Sequence, residues 1–183
     1  MNVLKDSICY LIGAIDEAHD CGKGWRRNIV DTCHLMNLDI KFLDPTNKVT
    51  GLQKEVDEEY QRIVNHKKNG EWDQLTKFMT RIAQEDYRGV ALSDFVIMYI
   101  DPNSRPCGSY FELQKVLNEN KPYYIICPPD GKPSCPAWLF GILDHEFVFP
   151  DIASVVAELA KLNAGNTPLS DKWVLFRDEI GKL

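Results

Sequence analysis

Residues Ser93 to Leu113 read SDFVIMYIDPNSRPCGSYFEL. Phe95 to Ile100 is an unbroken apolar run of strand length, rich in β-branched and aromatic residues. A run without polar alternation predicts a strand covered on both faces, as in the middle of a parallel sheet. Asp101-Pro102-Asn103 ends it with a turn, because proline presets φ and Asn or Asp tolerates unusual backbone angles. Gly108 and Ser109 then open a helix whose first turn holds Glu112. A carboxylate just past the carboxyl end of a central strand lies where open α/β sheets keep their ligands. Complementing the helix dipole is the simpler role for such a residue.

Upstream, Ser7 to Ile12 predicts a first buried strand, and the loop from Gly13 to Gly24 is glycine-rich. Trp25, Ile29, Cys33 and Met36 fall on one face of a helix, and Leu38 to Leu43 forms a second strand closed by Asp44-Pro45. Strand, loop, helix, strand is the βαβ pattern. The loop matches neither GxGxxG nor GxxxxGK[ST], since Trp25 follows Gly24. Backbone N–H groups at Gly22–Gly24, with Lys23, Arg26 and Arg27, suit one anionic group or a solvated loop.

Two helices, Lys54–Lys68 and Glu71–Leu92, fill the stretch before Ser93, with Trp72, Leu75, Phe78, Met79 and Ile82 as core packing. Tyr123 to Cys127 predicts a fourth strand, Glu146 to Phe149 a short fifth, and Asp151 to Leu162 a helix with Asp151 near its cap. Leu169 to Leu183 contains Trp173, Val174, Leu175 and Phe176, which predicts docking on the core or on a neighbouring subunit. The whole chain, 1–183, thus predicts a single domain: a flavodoxin-like doubly wound sheet of about five parallel strands with helices on both faces. The carboxyl ends of strands one and three share a crevice in that fold, which brings Tyr10, Gly13 and Glu112 together.

A chain of 183 residues with 44% hydrophobic and 26% charged residues supports one full core. A net charge of −6 argues against a surface for polymeric nucleic acid. The six cysteines show no CxxC pair or zinc spacing, which predicts reduced thiols in a cytoplasmic protein. No apolar run is long enough to span a membrane, so no membrane partner is expected. The four histidines lack metal-ligand spacing, so neither a metal nor a cofactor is expected.

Two carboxylates and a phenol can divide labour at a sugar: one carboxylate attacks carbon, the other moves a proton, and the phenol orients the first. Glu112, Asp86 and Tyr10 are those residues. At this point the chain resembles the nucleoside 2-deoxyribosyltransferase superfamily over roughly residues 8 to 127. The likeness rests on Tyr10-Leu11-Ile12-Gly13-Ala14, on Asp86 standing eight residues before Asp94 and its strand, on Gly108-Ser109-Tyr110-Phe111-Glu112-Leu113, and on Trp25-Arg26. The resemblance implies that Glu112 forms a covalent deoxyribosyl intermediate, that Tyr10 orients it, and that Asp86 protonates the departing base and deprotonates the incoming one. Gly13, Trp25, Arg26, Asp44, Asp94, Asp101, Gly108 and Ser109 are the matching substrate-binding positions and their loop neighbours.

It also implies small-molecule partners, a nucleoside or nucleotide and a free nucleobase, and a homo-oligomer. The family places an Asp six residues before the nucleophile, where this chain has Pro106; Asp101 or Arg105 of the same loop stand in for it. Where the family contributes an Asn from a neighbouring subunit, this chain has Ser134-Cys135. Three functions stay open: exchange of 2-deoxyribose between bases, hydrolysis of deoxynucleoside 5′-monophosphates with Lys23, Arg26 and Ser109 on the phosphate, and nucleotide binding without turnover.

Overall fold

The computed structural model describes residues 2–15, 18, 20–47, 55–104, 106–173 and 175, with backbone alone at 55–59. Five strands, β1 (Ile8–Gly13), β2 (Lys41–Leu43), β3 (Phe95–Tyr99), β4 (Tyr123–Ile126) and β5 (Val148–Phe149), form one sheet in the order β2-β1-β3-β4-β5. Every pairing is parallel, with Tyr10 opposite Val96 and Gly13 opposite Tyr99. This is the flavodoxin-like α/β arrangement expected, and the order reverses between β1 and β3.

The unbroken apolar run of β3 is explained by its position, because both of its faces are covered. Phe95 and Ile97 join Cys9, Leu11 and Ile126 in a core sealed by helices α1 (Lys23–Leu35) and α5 (Ile152–Asn163). Val96 and Met98 join Tyr10, Ile12 and Ile125 in a second core, closed by Val90 of helix α3 (Trp72–Leu92) and by Leu113 and Val116 of α4 (Cys107–Asn118). Helix α2 (Glu55–Asn69) packs along α3. Asp151 caps α5, its Oδ1 accepting the Ser154 N–H at 2.7 Å.

The sequence expectations differ from this at three places. The second strand is only Lys41–Leu43, because Asn37 turns with φ +53 and the Leu38 N–H closes back on the Cys33 carbonyl, so Leu38 and Ile40 serve the core from a loop. Trp72 is 61% exposed and Met79 is also exposed, so the first half of α3 does not supply the core packing read from its spacing. Helix α4 opens at Cys107, which makes Glu112 its sixth residue and puts it in the second turn, where the dipole has largely faded. Leu169 and Trp173 pack on this chain's own core, Trp173 lying 5.0 Å from the Phe95 ring. Val174 and residues 176–183 of that segment lie outside the described residues, as do Lys54 and Arg105. Among the described residues no helix is long and apolar enough to cross a membrane.

Candidate active site

Alternation along β1 sends Tyr10 to the α3–α4 face of the sheet. Its ring crosses under α3 because residue 89 is glycine: a Cβ there would lie 2.5 Å from Tyr10 Cε2, closer than real atoms allow. The phenol reaches α4 and donates to Oε1 of Glu112 at 2.6 Å. Glu112 belongs to the buried stripe of α4, with Ser109, Leu113 and Val116, at a position where an apolar residue would ordinarily sit. Tyr10 and Glu112 are 3% and 8% exposed. Burial first, then the charges of Glu112 and Asp86, hold the Tyr10 phenol well above its ordinary pKa, so it keeps its proton and stays a donor. Asp86, half-buried on α3, shares a helix face with Gly89 and Val90 and completes the group.

Among the described residues, Arg26 is the cation whose charge acts on this group. Arg26 is fully buried, and its guanidinium donates from Nη1 to the Gly22 carbonyl at 2.8 Å and from Nη2 to the carbonyls of Gly13 at 2.8 Å and Leu11 at 3.4 Å. Its Nε lies 3.5 Å from Asp44 Oδ1 without a hydrogen bond, a charge contact only. Burial lowers the Arg26 pKa, opposed first by Asp44 and then by Tyr10, Glu112 and Asp86. The guanidinium also lies 4.7 Å over the Trp25 ring, which stacks on Tyr99 at 5.2 Å and 14°. Trp25 in turn needs Gly13, where a Cβ would meet it at 2.8 Å. Strand ends, aromatic pair and buried cation therefore form one packed unit.

Beside that unit, at the carboxyl ends of β1 and β3, a cleft of about 190 Å³ is lined by Ala14, Gly22, Trp25, Tyr99, Asp20 and Asp101. Burial and then Asp101 and Asp20 raise the Tyr99 phenol's pKa, so the cleft is acidic and aromatic. Tyr99 and Trp25 pack with the α1–α5 core, whereas Tyr10 belongs to the opposite one.

No family model matches the chain, and no curated protein sequence matches it.

The geometry of the site joins Tyr10 to Glu112 directly and Arg26 to Asp44, while the charges of Asp86 and Arg26 both act on Tyr10. Gly13, Trp25 and Asp101 border the neighbouring cleft or its wall. Asp101 also accepts from the Asn103 N–H at 2.8 Å, and Asp44 from the Thr46 N–H at 2.8 Å. Ser109 is buried one turn before Glu112, and Gly108 is exposed with open space around it.

Two expectations need correction. Asp94 lies at the amino end of β3, away from the crevice, where it accepts the Ile8 N–H at 2.6 Å and ties β1 to β3. The anion suited to the Gly22–Gly24 loop is the protein's own Asp20, whose carboxylate takes the N–H groups of Gly22 at 2.9 Å and Gly24 at 2.6 Å. Arg26, buried and committed to carbonyls, is likewise withdrawn from a surface phosphate site.

Gly89 and Asp20 were not singled out by sequence. Gly89 had a readable signal, a glycine inside a helix one turn after Asp86; Asp20 had none.

Proposed function

We propose that this protein transfers a 2-deoxyribosyl group from one nucleobase to another, as a member of the nucleoside 2-deoxyribosyltransferase superfamily. The observation that carries the reading is the 2.6 Å hydrogen bond from Tyr10 to a buried Glu112 at the switch point of the sheet. Apolar helix stripes do not ordinarily hold a glutamate, and this one is oriented by a neutral phenol on which the charge of a second carboxylate, Asp86, also acts.

In the proposed reaction the Glu112 carboxylate attacks C1′ of the sugar as the glycosidic C–N bond breaks. The electron pair of that bond goes to the base nitrogen, which takes a proton from Asp86. The sugar then rests on Glu112 as an ester. A second base gives its proton to Asp86, attacks C1′ and returns Glu112 as a carboxylate. Developing positive charge on the sugar ring is stabilised by the same carboxylate, and a sugar lacking its 2′-hydroxyl reaches that state more easily. The charge of Arg26 acts on Glu112 and favours the carboxylate form that attacks, while Asp86 enters the first half of the exchange protonated. The withdrawal of Arg26 from the surface favours nucleosides over 5′-monophosphates as substrates.

The test is incubation with a purine or pyrimidine deoxynucleoside, with and without a second free base, followed by chromatography. New deoxynucleoside formed only with the acceptor present supports the transfer. Free deoxyribose appearing without acceptor, deoxyribose phosphate from a nucleotide, or full activity in Glu112→Ala would each refute it.

A further inference from the structure

Cys127 follows the last residue of β4, and its N–H donates to the Phe149 carbonyl at 2.9 Å, which fixes it to the sheet. The chain leaves through Pro128 and Pro129 and then doubles back. The Gly131 N–H donates to the Cys127 carbonyl at 2.8 Å, the Ser134 N–H to Gly131 at 3.0 Å, and the Cys135 N–H to Lys132 at 3.2 Å. Gly131 makes the reversal at φ +72, against the backbone of Phe149 and Pro150. These nested turns return Cys135 to the same buried cluster as Cys127, beside Leu139, Leu143 and Val148.

Each thiol acts on the other there: Cys127 is pushed up and Cys135 is held below its usual range, so Cys135 is the readier thiolate. Cys135 is also the more open of the two, 7% exposed against 1%. Cys9 and Cys33, in the opposite core, are sealed and have raised pKa values, whereas Cys107 is exposed on α4.

We propose that Cys127 and Cys135 are a covalent-modification site, a dithiol that closes reversibly to an intrachain disulfide by exchange with a small-molecule disulfide. The Cys135 thiolate attacks one sulfur of the reagent, whose S–S bond breaks and releases one thiol. Cys127 then loses its proton and attacks the Cys135 sulfur, expelling the second thiol. Two protein thiols are oxidised and one small disulfide is reduced to two thiols. The bond locks the 127–135 segment, whose continuation, Pro136 and Leu139, lines an apolar groove of about 400 Å³ against Tyr110 and Leu113 of α4. This inference is independent of the proposed sugar transfer.

The test exposes the native protein to glutathione disulfide and maps its peptides without reduction. The expected result is a Cys127–Cys135 cross-link with loss of two hydrogens, reversed by dithiothreitol. Cys127→Ser should trap one glutathione on Cys135, and Cys135→Ser should leave Cys127 unmodified. Two results overturn the proposal: both thiols still reduced in native wild-type protein whose Cys107 has already taken glutathione, or a glutathione adduct on Cys127 in folded Cys135→Ser. The wild-type map decides the first point even if a serine variant fails to fold.

Discussion

The phenol oxygen of Tyr10, on β1, stands 2.6 Å from Oε1 of Glu112, on α4, so the hydrogen bond spans the two elements that meet at the switch point of the sheet. Two facts make it directional. The phenol's pKa is raised, first by burial and then by Glu112, so it acts as donor across the neutral range. The glutamate is past the first turn of α4, so its orientation comes from this side-chain partner more than from the helix dipole.

Tyr10→Phe removes the donor and leaves the ring in place. A hydrogen bond to a charged group contributes about 1.5–3 kcal/mol, which corresponds to a loss of roughly ten- to hundredfold in kcat. The acid limb of the rate profile should move to higher pH, because the carboxylate form of Glu112 loses a favourable partner. Steady-state kinetics across pH check both; an unchanged kcat with an unmoved limb removes Tyr10 from the mechanism.

Gly89→Ala tests the same contact from α3. Alanine favours a helix over glycine by about 1 kcal/mol, whereas overpacking a buried ring costs about 1–3 kcal/mol. Stability should therefore change little or fall slightly. Turnover should fall as far as in Tyr10→Phe, because a Cβ placed 2.5 Å from Cε2 displaces the ring from Glu112. Thermal unfolding measured beside kcat separates the two effects; a variant with wild-type kcat refutes the packing account.

The fold was legible because its sheet is parallel and buried: β3 and β4 are apolar runs whose alternate residues feed two different cores. The helical spacing of α3 misled because an apolar stripe does not say what covers it, and Trp72 stays exposed. At the site, Tyr10, Asp86 and Glu112 were readable as residue types on neighbouring elements, although all three lie inside β1, α3 and α4 and not at their ends. Asp94 was not separable from them, since a carboxylate at a strand's start and one near a strand's end look alike until the register is known. Arg26 as a buried counter-ion was equally hidden, because an arginine two residues after a glycine loop ordinarily reads as a surface cation.

Asp94→Ala should act on stability alone. The Ile8 N–H loses its 2.6 Å acceptor in a buried place, at a cost of about 2 kcal/mol. Asp94→Asn keeps an acceptor oxygen and should lose less. Urea unfolding measures the difference, and kcat per folded molecule should match wild type in both. A selective rise in KM without destabilisation would restore Asp94 to the substrate site.

Alkaline pH offers a check on the α1 core. Burial pushes the Cys33 thiol from its usual value near 9 up to about 12, so the native state keeps a proton that the unfolded chain releases. The stabilisation is full below about pH 9 and is lost as pH rises toward about 12, with a slope of up to about 1.4 kcal/mol per pH unit. Cys9, raised by burial and by Cys33, adds in the same direction. Cys33→Ala should flatten the dependence of the urea midpoint on pH between roughly 9 and 11, whatever packing it loses. An unchanged slope would mean that burial of this thiol is not what it reports.

Arg26→Lys discriminates a buried counter-ion from a phosphate ligand. Lysine keeps the charge but not the planar fork, so it cannot serve Gly22, Gly13 and Leu11 together. Carbonyls at the end of β1 are left without a donor, and the charge contact with Asp44 is weakened. Breaking a buried ion pair costs about 3–5 kcal/mol, and the retained charge puts the expected loss near the lower figure. Asp44→Ala should destabilise in the same direction, by leaving the guanidinium without its nearest carboxylate. If Arg26 instead met a substrate phosphate, Arg26→Lys would leave the urea midpoint in place and raise KM for a deoxynucleoside 5′-monophosphate but not for the deoxynucleoside. The buried geometry predicts the opposite: a large fall in the midpoint, and a change in kcat common to both substrates, because the charge of Arg26 acts on Tyr10, Glu112 and Asp86 whichever substrate enters.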